Sequence, residues 1–127
     1  MKKCLLDSSF IIDLLQDASQ GSLGPAASWL RRNPRAQLWI SPITVAEVLE
    51  SAEDPDAVRA YLERFNWQGI HRIHAERVAV WQARARRRFG ENDAWQVSIA
   101  QCMQAVVVGH DRAFNALGSG YQDHRKV

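Results

Sequence analysis

The first fifteen residues constrain the chain most. Lys2 and Lys3 precede a short apolar run, Cys4-Leu5-Leu6, which stops on Asp7-Ser8-Ser9 and resumes as Phe10-Ile11-Ile12-Asp13-Leu14-Leu15. An apolar run of that length ending on a carboxylate and two hydroxyls predicts a buried strand finishing at Asp7. A helix follows at once, with Asp7, Ser8 or Ser9 as its N-cap and Phe10, Ile11, Leu14 and Leu15 at helical spacing. In open parallel α/β sheets the carboxyl end of a strand borders the ligand crevice. Asp7 is therefore either a helix cap without chemistry or one member of a site, and the remaining acids bear on which.

Further strand-to-helix passages come later in the chain. Residues 17–24, rich in Ser and Gly, predict a loop, and Pro25 suits the first turn of a second helix through Ala27, Trp29 and Leu30. Gln37-Leu38-Trp39-Ile40 predicts a second strand, and Ser41-Pro42 an N-cap with proline at the first helical position. Glu47 lies near the start of that helix, at the edge of its apolar arc, either as a solvated boundary residue or as a second acid beside the crevice. Glu53-Asp54-Pro55-Asp56 is an acidic helix start, favourable to the helix dipole, with an amphipathic helix over residues 57–65. Residues 69–73 predict a third strand, with His71 and His74 as ordinary surface or boundary residues.

Residues 75–89 predict the clearest helix, carrying Arg77, Arg84 and Arg88 on a stripe that is either a solvated face or a contact for phosphates. Gly90 suits its C′ position and Asn92 the N-cap of a helix over 93–104. Asp93 shares a face with Val97 and Ala100, so its carboxylate falls at the edge of the core with no lysine to meet it. Ala105-Val106-Val107-Val108 has the continuous apolar character of a central parallel strand, and it ends in Gly109-His110-Asp111-Arg112. Residues 114–117 predict a short turn or helix, and the polar tail 121–127 either frays or adds an edge strand.

Strands alternating with helices predict an α/β fold, a central and mostly parallel sheet flanked by helices in three layers. A length of 127 residues with 46% hydrophobic content suits one domain spanning 1–127 with its own core. Cys4 and Cys102 lie in apolar surroundings without metal-ligand spacing and read as free thiols in a reducing compartment. The apolar run after Lys2-Lys3 is too short for a signal peptide, and no segment suits a bilayer span, so a soluble cytoplasmic protein is expected. The net charge of +2 does not by itself argue for nucleic acid, but thirteen of sixteen Lys and Arg residues are arginine, several of them within 84–88.

In such a sheet Asp7 and Asp111 emerge at one edge, where Glu47 and Asp93 also begin helices. Clustered carboxylates repel, so they either take up protons or recruit a cation, and oxygen ligands alone select Mg²⁺ or Mn²⁺. That chemistry suits phosphodiester hydrolysis by an activated water. Nothing in the chain places a Ser-His, Cys or Lys nucleophile in its stead.

The sequence resembles the PIN-domain ribonucleases, and in size and layout the VapC-type toxins of toxin–antitoxin pairs. The resemblance covers nearly the whole chain. It rests on residues 5–15, on Ile43-Thr44-Val45-Ala46-Glu47-Val48, on Asn92-Asp93-Ala94-Trp95, and on Val107 through Phe114. It implies that Asp7, Glu47, Asp93 and Asp111 form an acidic quartet around Mg²⁺ or Mn²⁺, with Asp7 and Asp93 the principal ligands. It also implies an endoribonuclease acting on structured or translation-related RNA (tRNA, rRNA or mRNA), a homodimer, and a small antitoxin partner. The fourth motif departs from the usual pattern. Gly109 stands where Thr or Ser is common, and Ala113 where an acid often precedes Phe114, so either Asp111 or, one position away, His110 takes the fourth place. A noncatalytic RNA- or protein-binding module on the same fold is the alternative reading.

Overall fold

The computed structural model describes residues 2–126. The elements run β1 (Lys3–Leu6), α1 (Ser8–Gln20), α2 (Pro25–Arg32), β2 (Gln37–Ile40), α3 (Pro42–Glu50), α4 (Pro55–Leu62), β3 (Asn66–Trp67), α5 (Arg72–Arg84), α6 (Glu91–Cys102), β4 (Val106–Gly109), a 3-10 segment (Arg112–Gly120) and β5 (Tyr121–Asp123). The strands form one sheet in the order β3-β2-β1-β4-β5, and every pairing is parallel. Strand order therefore reverses between β1 and β4. Side-by-side strands whose connections leave in opposite directions open a crevice at their carboxyl ends, and the crevice here lies just past Leu6 and Gly109.

The alternation of side chains along the strands divides the core in two. Cys4, Leu6, Ile40 and Val108 face α1–α4, where Phe10, Ile11, Trp29, Val48 and Leu62 complete one buried cluster. Leu5 and Val107 face the other way onto Val97, Ile99 and Ala100 of α6 and Phe114 of the 3-10 segment. The result is the three-layer α/β architecture expected, with a sheet that is parallel throughout. Among the described residues no helix is long and apolar enough to cross a membrane.

Several local expectations are corrected. Residues 69–73 do not form the third strand. Asn66 and Trp67 pair with Trp39 and Ile40 instead, and β2 ends at Ile40, so no ladder remains for the residues that follow. His71 becomes the N-cap of α5, its backbone N–H donating to Nδ1 of His74 at 2.8 Å. His74 is buried, and burial followed by the neighbouring His71 lowers its pKa.

The helix expected over 75–89 spans Arg72–Arg84, so the arginines at 86–88 lie on a loop and the single stripe does not exist. The chain turns back because the Gln82 amide clips both backbone groups of Phe89, each at 2.9 Å, while the Phe89 ring meets Trp81 edge-on. Gly90, expected to end α5, caps the start of α6, whose first turn contains Asn92. The loop expected from residue 17 begins later, since α1 continues to Gln20. Asp17 is buried in α1 and accepts the Ala27 N–H at 2.9 Å, capping α2 from the adjacent helix. A Cβ at Gly24 would meet Asp17 Oδ1 at 1.9 Å, which makes glycine the residue that fits. Cys4 is buried as expected, whereas Cys102 is only half-buried; both are free.

Candidate active site

Asp7 follows β1 and occupies the N-cap position of α1 in an extended conformation, yet its side chain makes no capping hydrogen bond. Its carboxylate Oδ2 instead accepts the Ser9 hydroxyl at 2.9 Å, and Ser9 Oγ accepts the backbone N–H of His110 at 3.0 Å. This bridge ties the end of β1 to the segment after β4 across the crevice. Burial pushes the Asp7 carboxyl up, against hydrogen bonds from Ser9, Ser8 and Gln96 that lower it. A buried carboxylate not used as a cap favours the site reading of Asp7 over the capping one.

Asp111 caps the 3-10 segment by accepting the Ala113 N–H at 2.9 Å and is exposed. Asp93 is half-buried in the first turn of α6. Glu47 is half-buried on α3, with its Oε2 3.5 Å from Asn92 Nδ2, one residue before Asp93. The carboxyl of Asp93 titrates at about 6, raised first by burial and then by the negative charges of Asp111, Asp7 and Glu47. Negative charges from three other segments thus act on Asp93. Burial and then Asp123, Asp111 and Asp7 push the Tyr121 phenol up to about 12, so it stays protonated and donates to Gly109 O at 3.3 Å.

His110 leans toward Asp13, 3.8 Å from its Oδ2, whereas Asp111 is among the charges that raise Asp93. Gly109 leaves room for its neighbours, since a Cβ there would come within 2.7 Å of Ser9 Oγ and 2.9 Å of Asp7 Cβ. The Ser9 hydroxyl occupies the space that a Thr or Ser side chain at 109 would need.

The donors are all carboxylate oxygens, mutually repulsive and with no ammonium among them, which is the chemistry of a hard divalent cation site. Among the described residues no three Asp, Glu, His or Cys side chains are spaced to enclose an ion by themselves. A cation held here would need water or substrate oxygens to complete its shell, as Mg²⁺ readily accepts.

Beside the acids the crevice widens into a groove of about 630 Å³ lined by residues including Asp7, Ser9, His110, Asp111, Arg112 and Arg125. Arg125 reaches it through contacts that no local pattern announces. Its guanidinium forks onto Asp13 at 2.9 and 2.8 Å, and buried His124 places Nε2 2.8 Å from Asp13 Oδ2. The tail after β5 is thus locked against α1. Arg112 was visible in sequence as a neighbour of Asp111; Arg125 was hidden by its distance along the chain.

Residues 4–119 match the family described as PIN domain. Comparison with curated protein sequences gives no match. Among solved structures, a toxin–antitoxin complex from Klebsiella pneumoniae is similar at TM-score 0.78 and 24% identity, covering 98% of this chain and 99% of that one. VapBC-1 from nontypeable Haemophilus influenzae is similar at TM-score 0.75 and 21% identity, with coverage of 98% and 99%. VapC20 from Mycobacterium tuberculosis, described as a sarcin-ricin loop cleaving toxin, is similar at TM-score 0.68 and 20% identity, with coverage of 91% and 95%.

Proposed function

The chain belongs to the PIN-domain family, and on that premise we propose that it is a Mg²⁺- or Mn²⁺-dependent endoribonuclease, the VapC-type toxin of a toxin–antitoxin pair. The observation that carries this reading is the Asp93 carboxyl, half-buried in the first turn of α6 and raised to about 6 by burial and by the charges of Asp111, Asp7 and Glu47. Similarity in fold to proteins described as toxin–antitoxin complexes and as a sarcin-ricin loop cleaving toxin supports the assignment.

In this reading Asp7 and Asp93 would hold the cation, Glu47 would orient it or the attacking water, and Asp111 would complete the set directly or through water. When bound, a divalent cation would supply Lewis acidity toward water and phosphate. Ser9 holds the Asp7 carboxylate in place, and Arg112 and Arg125, in the same groove, bind backbone phosphates on one side of the scissile bond. The substrate is translation-related RNA (tRNA, rRNA or mRNA), and the working unit is a cytoplasmic homodimer of this one-domain chain, held in check by a small antitoxin protein.

Asp7→Asn keeps the side-chain volume and removes the charge. It is expected to abolish RNA cleavage, a loss of at least about a hundredfold, while circular dichroism is unchanged; cleavage at the wild-type rate would remove Asp7 from the mechanism. The open spacing of the acids favours a second reading, a noncatalytic PIN-fold module that binds RNA or protein. Titration with Mn²⁺ separates the two. A rise in melting temperature that disappears in Asp93→Asn supports the nuclease, and no response in the wild type supports the binder.

A further inference from the structure

Three buried polar residues with no place in the acidic set join the segments that carry it. Ser41, Thr44 and Gln96 are 0%, 0% and 1% exposed. The Thr44 hydroxyl donates to the Leu6 carbonyl at 2.8 Å, and Gln96 Nε2 donates to Thr44 Oγ1 at 2.8 Å. Ser41 Oγ donates to Gln96 Oε1 and accepts the Thr44 backbone N–H at 3.4 Å, capping α3. The donors and acceptors run in one consistent direction, which fixes the orientation of the Gln96 amide.

Each of these contacts lies one residue or one helical turn from an acid. Leu6 precedes Asp7, Thr44 is three residues before Glu47 on α3, and Gln96 is three residues after Asp93 on α6. We propose that the Leu6–Thr44–Gln96–Ser41 hydrogen-bond chain is a positioning device that sets the spacing of Asp7, Glu47 and Asp93, making Thr44 and Gln96 positioning residues for the divalent cation.

Capping alone does not account for the arrangement. The cap of α3 needs only Ser41 Oγ, and an aliphatic residue at position 96 would satisfy the core without importing an amide that must find partners. A fully satisfied polar chain, unlike apolar packing, permits one lateral register of β1, α3 and α6.

The proposal rests on the metal-nuclease reading, and the test separates the two. Binding of Mn²⁺ to the metal-free protein is followed by the loss of the free-ion electron paramagnetic resonance signal, for wild type, Thr44→Val, Thr44→Ser and Gln96→Met. Val and Met keep the volume and remove the hydrogen bonds; Ser keeps the hydroxyl. Wild type and Thr44→Ser are expected to bind alike, and Thr44→Val and Gln96→Met about 10- to 100-fold more weakly with unchanged circular dichroism. Wild-type affinity in the last two overturns the positioning role while leaving the nuclease reading intact. No Mn²⁺ binding by the wild type overturns both. Loss of folded structure in both Thr44→Val and Gln96→Met assigns the chain of bonds to stability and overturns the proposal.

Discussion

A carboxyl that titrates near neutrality makes the stability of the fold depend on pH, and Asp93, at about 6 against 3.8 for the free side chain, is such a group. The sign follows from proton counting. Between those two values the folded chain holds a proton that the unfolded chain has released, so without metal this group makes the fold less stable as pH rises from 4 to 6. Above 6 the penalty is complete, because the ionised carboxylate sits half-buried among Asp111, Asp7 and Glu47. Asp93→Asn is therefore expected to melt at a higher temperature than wild type at pH 7.5 in the presence of a chelator, with the difference vanishing by pH 4. Equal melting temperatures across that range would mean that the four acids do not press on one another. The same residue shows what sequence could and could not supply. Its inward face and missing lysine partner were legible from helical spacing. The three charges that raise it come from positions 7, 47 and 111, which only the folded backbone brings near.

Elements announced by local chemistry were legible, and those defined by contacts with distant segments were not. The boundary between β1 and α1 needs only an apolar run, a carboxylate and helical spacing, and Ser41-Pro42 marks the start of α3 by itself. The end of α5 depends instead on Gln82 clipping Phe89, and the two-residue β3 on where β2 runs out of ladder. The C-terminal tail is the strongest instance, because Asp13 and His124 lie 111 residues apart. Burial alone would raise the Asp13 carboxyl, but hydrogen bonds from Arg125 and His124, and their charges, hold it below the usual carboxylate range. That stabilisation is present above the ordinary carboxylate pKa and is lost as pH falls through the lowered folded value. Asp13→Asn removes the charge at constant volume and leaves Arg125 and buried His124 without it. The expected loss is roughly 3 kcal/mol at pH 7, read from the urea midpoint, and shrinks as pH falls below the ordinary carboxylate pKa. An unchanged midpoint at pH 7 would show that the tail is not held by this cluster.

Net charge for the whole molecule is +2, too small to steer a polyanion, so under the proposed nuclease function attraction to RNA would have to come from where the cations lie. Around the crevice they are concentrated on one flank. Arg112 and Arg125 share the groove with Asp7 and Asp111, and Arg112, Arg125 and Lys126 also line a recess of about 350 Å³ next to it. A second recess, which includes Ala113, is lined by Arg87 and Arg88 from the loop that follows α5. Arg125 and Arg88 are partly neutralised by Asp13 and Glu91, whereas Arg112 appears in no ion pair among the described residues. An RNA strand whose scissile phosphate enters the acid crevice would run its flanking phosphates along this rim. The cations then offset the repulsion between the polyanion and four carboxylates. Phosphate contacts of this kind release counterions, so each one contributes a salt dependence of roughly 0.7 in log affinity per log salt for single strands. Arg112→Ala is expected to weaken binding to unrelated RNA sequences by a similar factor and to lower the measured salt slope by about that amount. If Arg112 contacts the strand and not the reacting group, KM rises several-fold while kcat changes little. A fall in kcat at constant KM, with the salt slope intact, would place Arg112 at the chemical step and not along the path of the strand.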